Sequence, residues 1–212
     1  MKHFYLLFIV LLLFGSCNED LDSTVFSTTL SENWSPETAT KPINSFGQLT
    51  NQLITAYNNH PFKSNAHSLY DKIHLLDSVS RENPAFVSIK PVNYTLLTLP
   101  EAQTFLNSYV IAYDSLSVSG NVKDYLNNLL VHSDLVQLHT DVQNDINLTV
   151  SEKELLFFVI DRVSYSNGED GDDDDDDDDD RWNKRMIVAA VSGHHHSAAQ
   201  MVFNTALATV VP

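Results

Sequence analysis

Residues 43–61, INSFGQLTNQLITAYNNHP, decide the architecture. Ile43, Phe46, Leu49, Leu53, Ile54 and Tyr57 recur mostly at spacings of three and four, which lays one apolar stripe along a helix of 3.6 residues per turn. Ser45 with Gln48 has the form of a capping box at its start. His60-Pro61 predicts its end, because proline disfavours a helical residue before it.

The same period returns downstream. Ala66, Leu69, Tyr70, Ile73 and Leu76 form a second stripe, closed by Asn83-Pro84. Residues 85–99, AFVSIKPVNYTLLTL, are β-branched and broken by Pro91, and predict an extended connection or a short hairpin. Pro100-Glu101 then opens a third helix with proline in the first turn and an acid at the positive helix end. Its buried side is Ala102, Phe105, Leu106, Tyr109, Tyr113 and Leu116, and Gly120 is expected to stop it. A fourth helix carries Val122, Tyr125, Leu126, Leu129 and Leu130 and bends near Ser133-Asp134. Ser151 and Glu154 suggest a capping box ahead of a fifth, with Leu155, Leu156, Phe158, Val159 and Val163. These helices, with an Ala-rich segment at the end, predict an all-α fold: a bundle of five to six helices behind a flexible N-terminal stalk.

At 212 residues and 43% apolar content, the chain has enough length and apolar surface for one domain with a real core. One cysteine excludes a disulfide-stapled scaffold. A net charge of −16 argues against a nucleic-acid partner, since phosphates would be repelled. Nine of the acids form a single run, Asp172–Asp180.

The first residues, MKHFYLLFIVLLLFGSC, place Lys2 ahead of an apolar stretch from Phe4 to Phe14 that is too short to cross a bilayer. This is the form of a secretory leader, with small residues Gly15 and Ser16 ahead of Cys17. Leu13-Phe14-Gly15-Ser16-Cys17 resembles the lipobox of bacterial lipoproteins of the Bacteroidetes type, although Phe14 departs from the usual small aliphatic residue. The resemblance implies a lipid on the Cys17 thiol and a chain held at the outer membrane of a cell envelope. The acidic stretch Asn18–Asp22 is similar to the surface-export signal of such lipoproteins, and equally to the start of a solvated tether. The implied layout is a leader over 1–16, a lipidated stalk over 17–42, a helical bundle over 43–166, an acidic linker over 167–181 and an Ala-rich helix over 182–212. Asp22-Ser23-Thr24 matches the O-glycosylation motif of Bacteroidetes-type exported proteins, which makes Ser23 a candidate site. Asp77-Ser78-Val79 and Asp114-Ser115-Leu116 match it too, within predicted helices.

Candidate chemistry is sparse. His67, Asp71 and His74, at spacings of four and three, are expected on one side of the second helix, either as a cation site or as a solvated face. His194, His195 and His196 are adjacent; on a helix they point 100° apart, and only a loop would let them converge on a metal. The acid run offers weak calcium or other divalent-cation binding, or is a plain linker. Ala189, Gly193 and Ser197, at spacing four, form the small-residue pattern that lets two helix backbones approach. They point to a last helix packed on the bundle, on a second copy or on a protein partner, with membrane insertion as the alternative. Linear motifs of hydrolases, phosphate loops and dinucleotide folds do not occur. The expectation is therefore an envelope lipoprotein acting as a non-catalytic binding or structural module without a resident cofactor. A divalent-cation module and a hydrolase without a linear signature are the alternatives.

Overall fold

Asn183 to Val191 (NKRMIVAAV) and Ala199 to Ala208 (AQMVFNTALA) lack the alternation of an amphipathic helix. A helix that is apolar nearly all round is stable only when other elements surround it. That is how the chain folds. A computed structural model describes residues 45–131, 134–166 and 176–211. These residues belong to the unit Lys41–Pro212, and the unit Met1–Thr40 lies outside them.

The described residues contain no strand, and the all-α class holds, with ten α-helices rather than five or six. They are α1 (Ser45–Asn58), α2 (Leu69–Glu82), α3 (Pro84–Ile89), α4 (Leu99–Asn107), α5 (Tyr109–Asp114), α6 (Gly120–Val131), α7 (Leu135–Asn144), α8 (Val150–Ser166), α9 (Asp176–His194) and α10 (Ala198–Val210). A short 3₁₀ turn, Lys63–Asn65, precedes α2. The helices α9 and α10 form a central hairpin. Around it, α4, α5, α6 and α8 pack on α9, while α1 to α4 pack on α10.

The extra helices arise where one predicted element is divided. The extended or hairpin reading of 85–99 is corrected in its first part, which is the short helix α3. Asn83 makes the junction: it ends α2, and its Oδ1 accepts from Phe86 N at 3.1 Å to cap α3, with Pro84 at the first helical position. The side chain of Phe86, fully buried, holds α3 in place. The predicted third helix is divided at Ser108, whose N–H is shared between the carbonyls of Gln103 and Thr104 at 3.3 and 3.2 Å. Gly120 does not stop that helix; the turn closes at Ser115, and Gly120 begins α6.

The capping box of α8 lies two residues earlier than expected. Thr149 and Glu152 form it, with Glu152 N donating to Thr149 Oγ1 at 3.2 Å and Thr149 N donating to Glu152 Oε2 at 2.8 Å. The helix begins at Val150 and buries Leu155, Leu156 and Val159 in the core. Thr149→Ala is expected to cost about 1 kcal/mol in urea unfolding, the usual loss on removing an N-cap hydroxyl. Glu154→Ala, on the exposed face, should stay within about 0.5 kcal/mol. Equal losses at the two positions would contradict this register.

Two expected boundaries also change. The acidic segment is not a linker throughout, because α9 begins at Asp176, inside the run. Residues 182–212 are two helices rather than one, and they complete the bundle that was expected to end at 166.

Gly193 is where α9 and α10 meet most closely. A Cβ built there would lie 2.5 Å from Gln200 O, Met201 Cα and Met201 N, all backbone atoms of α10. Ala189, one turn earlier, is fully buried, and Ser197 is the N-cap of α10. The close approach within this chain is thus made at Gly193, and Ser197, beyond the end of α9, does not share a helix face with it. Residues 199–208 are buried against the chain's own helices, so a partner on this helix would have to displace them. Among the described residues, no helix is long and apolar enough to cross a membrane.

Candidate functional site: the elbow between the central helices

Where α9 turns into α10, the N-terminal part of α4 and the chain before it lie alongside and leave a cleft of about 150 Å³. Its mouth is formed by the exposed residues Thr95, Glu101, Thr104 and His196. Its interior wall is Leu97, Ser192, Gln200 and Asn204, of which Gln200 is 5% and Asn204 1% exposed. Buried amides are costly unless hydrogen-bonded, and these are linked in a directed chain. Ser192 Oγ donates to the Ala189 carbonyl at 3.1 Å, which can only accept. That leaves Ser192 Oγ to accept from Asn204 Nδ2 at 3.1 Å, and Asn204 Oδ1 to accept from Gln200 Nε2 at 2.8 Å. The orientation of both amides therefore follows from one backbone carbonyl, and it leaves Gln200 Oε1 as an acceptor with no hydrogen bond inside the chain.

Glu101 is set at the mouth by its capping role. Thr98 caps α4, and Glu101 Oε2 accepts from Thr98 N at 2.8 Å and from Thr98 Oγ1 at 2.6 Å. Those bonds hold the Glu101 carboxyl below the usual glutamate range, with a smaller contribution from the nearby His196 charge. The cleft is therefore lined by an ionised carboxylate at its mouth and by an unpartnered amide carbonyl on its wall.

The other depression is a groove of about 530 Å³ between α6 and α7, lined by amides and carboxylates such as Asn121, Asp124, Asn128 and Asp141. These side chains are exposed, and Tyr125 donates to Asp145 Oδ2 at 3.2 Å across it. Groups already in water gain little by exchanging it for a ligand, which makes the elbow the better candidate.

The predicted site residues are scattered. His67 precedes the N-cap Ser68, so it does not project from α2 as expected. Asp71 is spent on the capping box, its Oδ2 accepting from Ser68 N at 3.0 Å and Ser68 Oγ at 2.7 Å. His74 lies against Tyr70, with ring centroids 4.1 Å apart. His194 ends α9 with Nε2 3.1 Å from Ser151 Oγ, while His195 and His196 follow in the turn. Among the described residues, no three His, Cys, Asp or Glu side chains gather as a metal site. Cys17, Ser23 and Asp172–Asp175 lie outside the described residues, and so does His132. Ser78 is exposed in mid-helix, and Ser115 Oγ donates to the Ile111 carbonyl at 2.9 Å.

Several buried polar groups had no motif to announce them. On α8, Arg162 is buried, donates to Asn51 Oδ1 of α1 and lies over the Tyr165 ring at 5.4 Å. Asp77, in the Asp-Ser-Val motif, is buried and pairs with Arg81 at 2.8 Å. Its charge, after burial itself, pushes the Tyr94 hydroxyl upward. Gln200 and Asn204 left a faint trace, two amides one turn apart in an otherwise apolar helix.

Burial depresses the pKa of both His139 and His194 below the ordinary 6.5. The folded state favours their neutral forms, so the unfolded chain binds more protons as the pH falls below 6.5. The stability they contribute is present above that value and is lost as pH drops through the lowered folded values. Melting temperature is expected to fall between pH 7.5 and 5.5, and less steeply in a His139→Leu variant. Below about pH 4.5 the depressed carboxyls of Glu101 and Glu152 add a second loss of the same sign. A melting temperature that is flat from pH 7.5 to 5.5 would contradict the histidine assignment.

Compared with protein-family models, with curated proteins and with solved structures, the chain matches none of them.

Proposed function

We propose that this protein is a lipid-anchored envelope lipoprotein whose helical body is a non-catalytic binding module, with the elbow cleft as its ligand site. The observation that carries the binding role is the directed chain from Ala189 through Ser192 and Asn204 to Gln200, which leaves the carbonyl of a buried side chain open to a cleft. Groups held this rigidly are suited to binding, because little ordering remains to be done when a ligand arrives. The anchor is supported by the lipobox-like Leu13–Cys17 and by the short apolar leader before it. Two or three acyl chains, at about 0.8 kcal/mol per buried CH₂, hold a protein on a bilayer where one does so only marginally. The outer membrane is the proposed location, and the lipid on Cys17 the membrane contact.

Labelling bacteria that express the chain with a radioactive fatty acid tests the anchor. Label is expected on the membrane-bound protein and absent from Cys17→Ser; label that persists in the variant would overturn the anchor. Thermal melting of the full chain against a panel of small polyols, amines and carboxylates tests the module. A ligand that binds only the folded state raises the melting temperature. At least one class is expected to do so, and the effect should vanish in Gln200→Leu.

A further inference from the structure

We infer that the elbow cleft takes a compact ligand bearing a primary ammonium group. This rests on the cleft being the ligand site, and it follows from which polar atoms of the wall remain unspent. Gln200 Oε1 can only accept, and the donor chain prevents its amide from turning over without breaking the bond to Asn204. Both Thr98 bonds to Glu101 end on Oε2, which leaves the other carboxylate oxygen for a ligand. The Thr104 hydroxyl donates to the Pro100 carbonyl at 3.1 Å, and that of Ser192 to Ala189, so each offers lone pairs rather than a proton. The wall thus sets these acceptors around one negative charge, beside the Thr95 hydroxyl and the second amide protons of Gln200 and Asn204.

Such a wall selects by chemistry. An ammonium group supplies three donors on a compact cation and gains from the Glu101 charge, because hydrogen bonds to ionised groups are about twice as strong as neutral ones. A carboxylate or phosphate would set like charge against like at Glu101, and is disfavoured. A neutral diol donates to the carboxylate but brings no positive charge to meet it. A cleft of about 150 Å³ is smaller than the roughly 300–1,000 Å³ of pockets for drug-sized ligands, which suits a small amine rather than a peptide. His196 at the mouth faces the same carboxylate and competes with the ligand for it when charged.

The test follows the side-chain amide signals of Gln200 and Asn204 by NMR in the full chain during titration with ethanolamine, ethylene glycol or acetate. Ethanolamine is expected to move both signals saturably, ethylene glycol at least tenfold more weakly, and acetate not at all. Glu101→Gln should weaken ethanolamine at least tenfold, whereas His196→Gln should strengthen it. Opposite signs at two residues of one mouth are not what a general loss of structure produces. If ethylene glycol or acetate binds as well as ethanolamine, or Glu101→Gln changes nothing, the ammonium assignment is overturned and the cleft remains a ligand site. If none of the three moves these signals, both the assignment and the cleft as a binding site fall.

Discussion

Gly193→Ala is expected to lower the melting temperature of the full chain by roughly 6 °C. The added Cβ would lie 2.5 Å from three backbone atoms of Gln200 and Met201, and backbone does not step aside as a long side chain does. The two central helices would have to separate, loosening every contact along their length. Forcing even a methyl group into a packed interior costs about 1–3 kcal/mol. The upper end applies here, because the obstacle is another helix and both sides of the hairpin are buried. Alanine's better helix propensity returns about 1 kcal/mol at most. At about 2–4 °C per kcal/mol for a chain of this size, a net loss near 2 kcal/mol gives the stated shift. Gly120→Ala is the control: a Cβ there meets nothing within 4 Å, and the melting temperature should hold or rise slightly. Equal melting temperatures for the two variants would mean that α9 and α10 do not touch at Gly193.

Phe203→Ala should cost about 4 kcal/mol in urea unfolding, the usual range for deleting a buried aromatic ring. Phe203 is fully buried on α10, and its ring centroid is 6.5 Å from that of Phe86, itself fully buried on α3. Removing the ring opens a space that central helices held from all sides cannot collapse to fill. Phe203→Leu, which keeps most of the volume, should lose clearly less. Val131→Ala on exposed α6 should stay within about 0.5 kcal/mol. A loss below about 1 kcal/mol for Phe203→Ala would mean that α10 is peripheral and that the assignment of the core is wrong.

The helical class was legible because the stripe of Phe46, Leu49, Leu53 and Tyr57 follows a period no strand shares, and Leu49, Leu53 and Tyr57 are indeed buried. What periodicity does not carry is interruption. Ser108 divides a helix while the apolar spacing runs through from Phe105 to Tyr109 and Tyr113, because the spacing reports which side is buried and not whether each amide finds its carbonyl. The central position of α9 and α10 was hidden for a related reason. A helix buried on every side has no stripe, and Ala189, Ala190 and Val191 are as consistent with a peripheral Ala-rich helix as with the middle of a bundle.

The site was less legible than the fold. Histidines attract notice in a sequence, yet His67, Asp71 and His74 are divided between a turn, a capping box and an aromatic contact. Gln200 and Asn204 matter through the direction of a proton chain that begins at the carbonyl of Ala189, and such a chain exists only once the elbow has formed.

The order of the helices along the chain has a consequence for how the protein is made. Synthesis delivers α1 to α8 before the pair they enclose, so the wrapping is ready long before its contents. Until the last thirty or so residues have left the ribosome, the earlier helices have no finished interior to settle around. A chain arranged this way closes up only when its tail arrives.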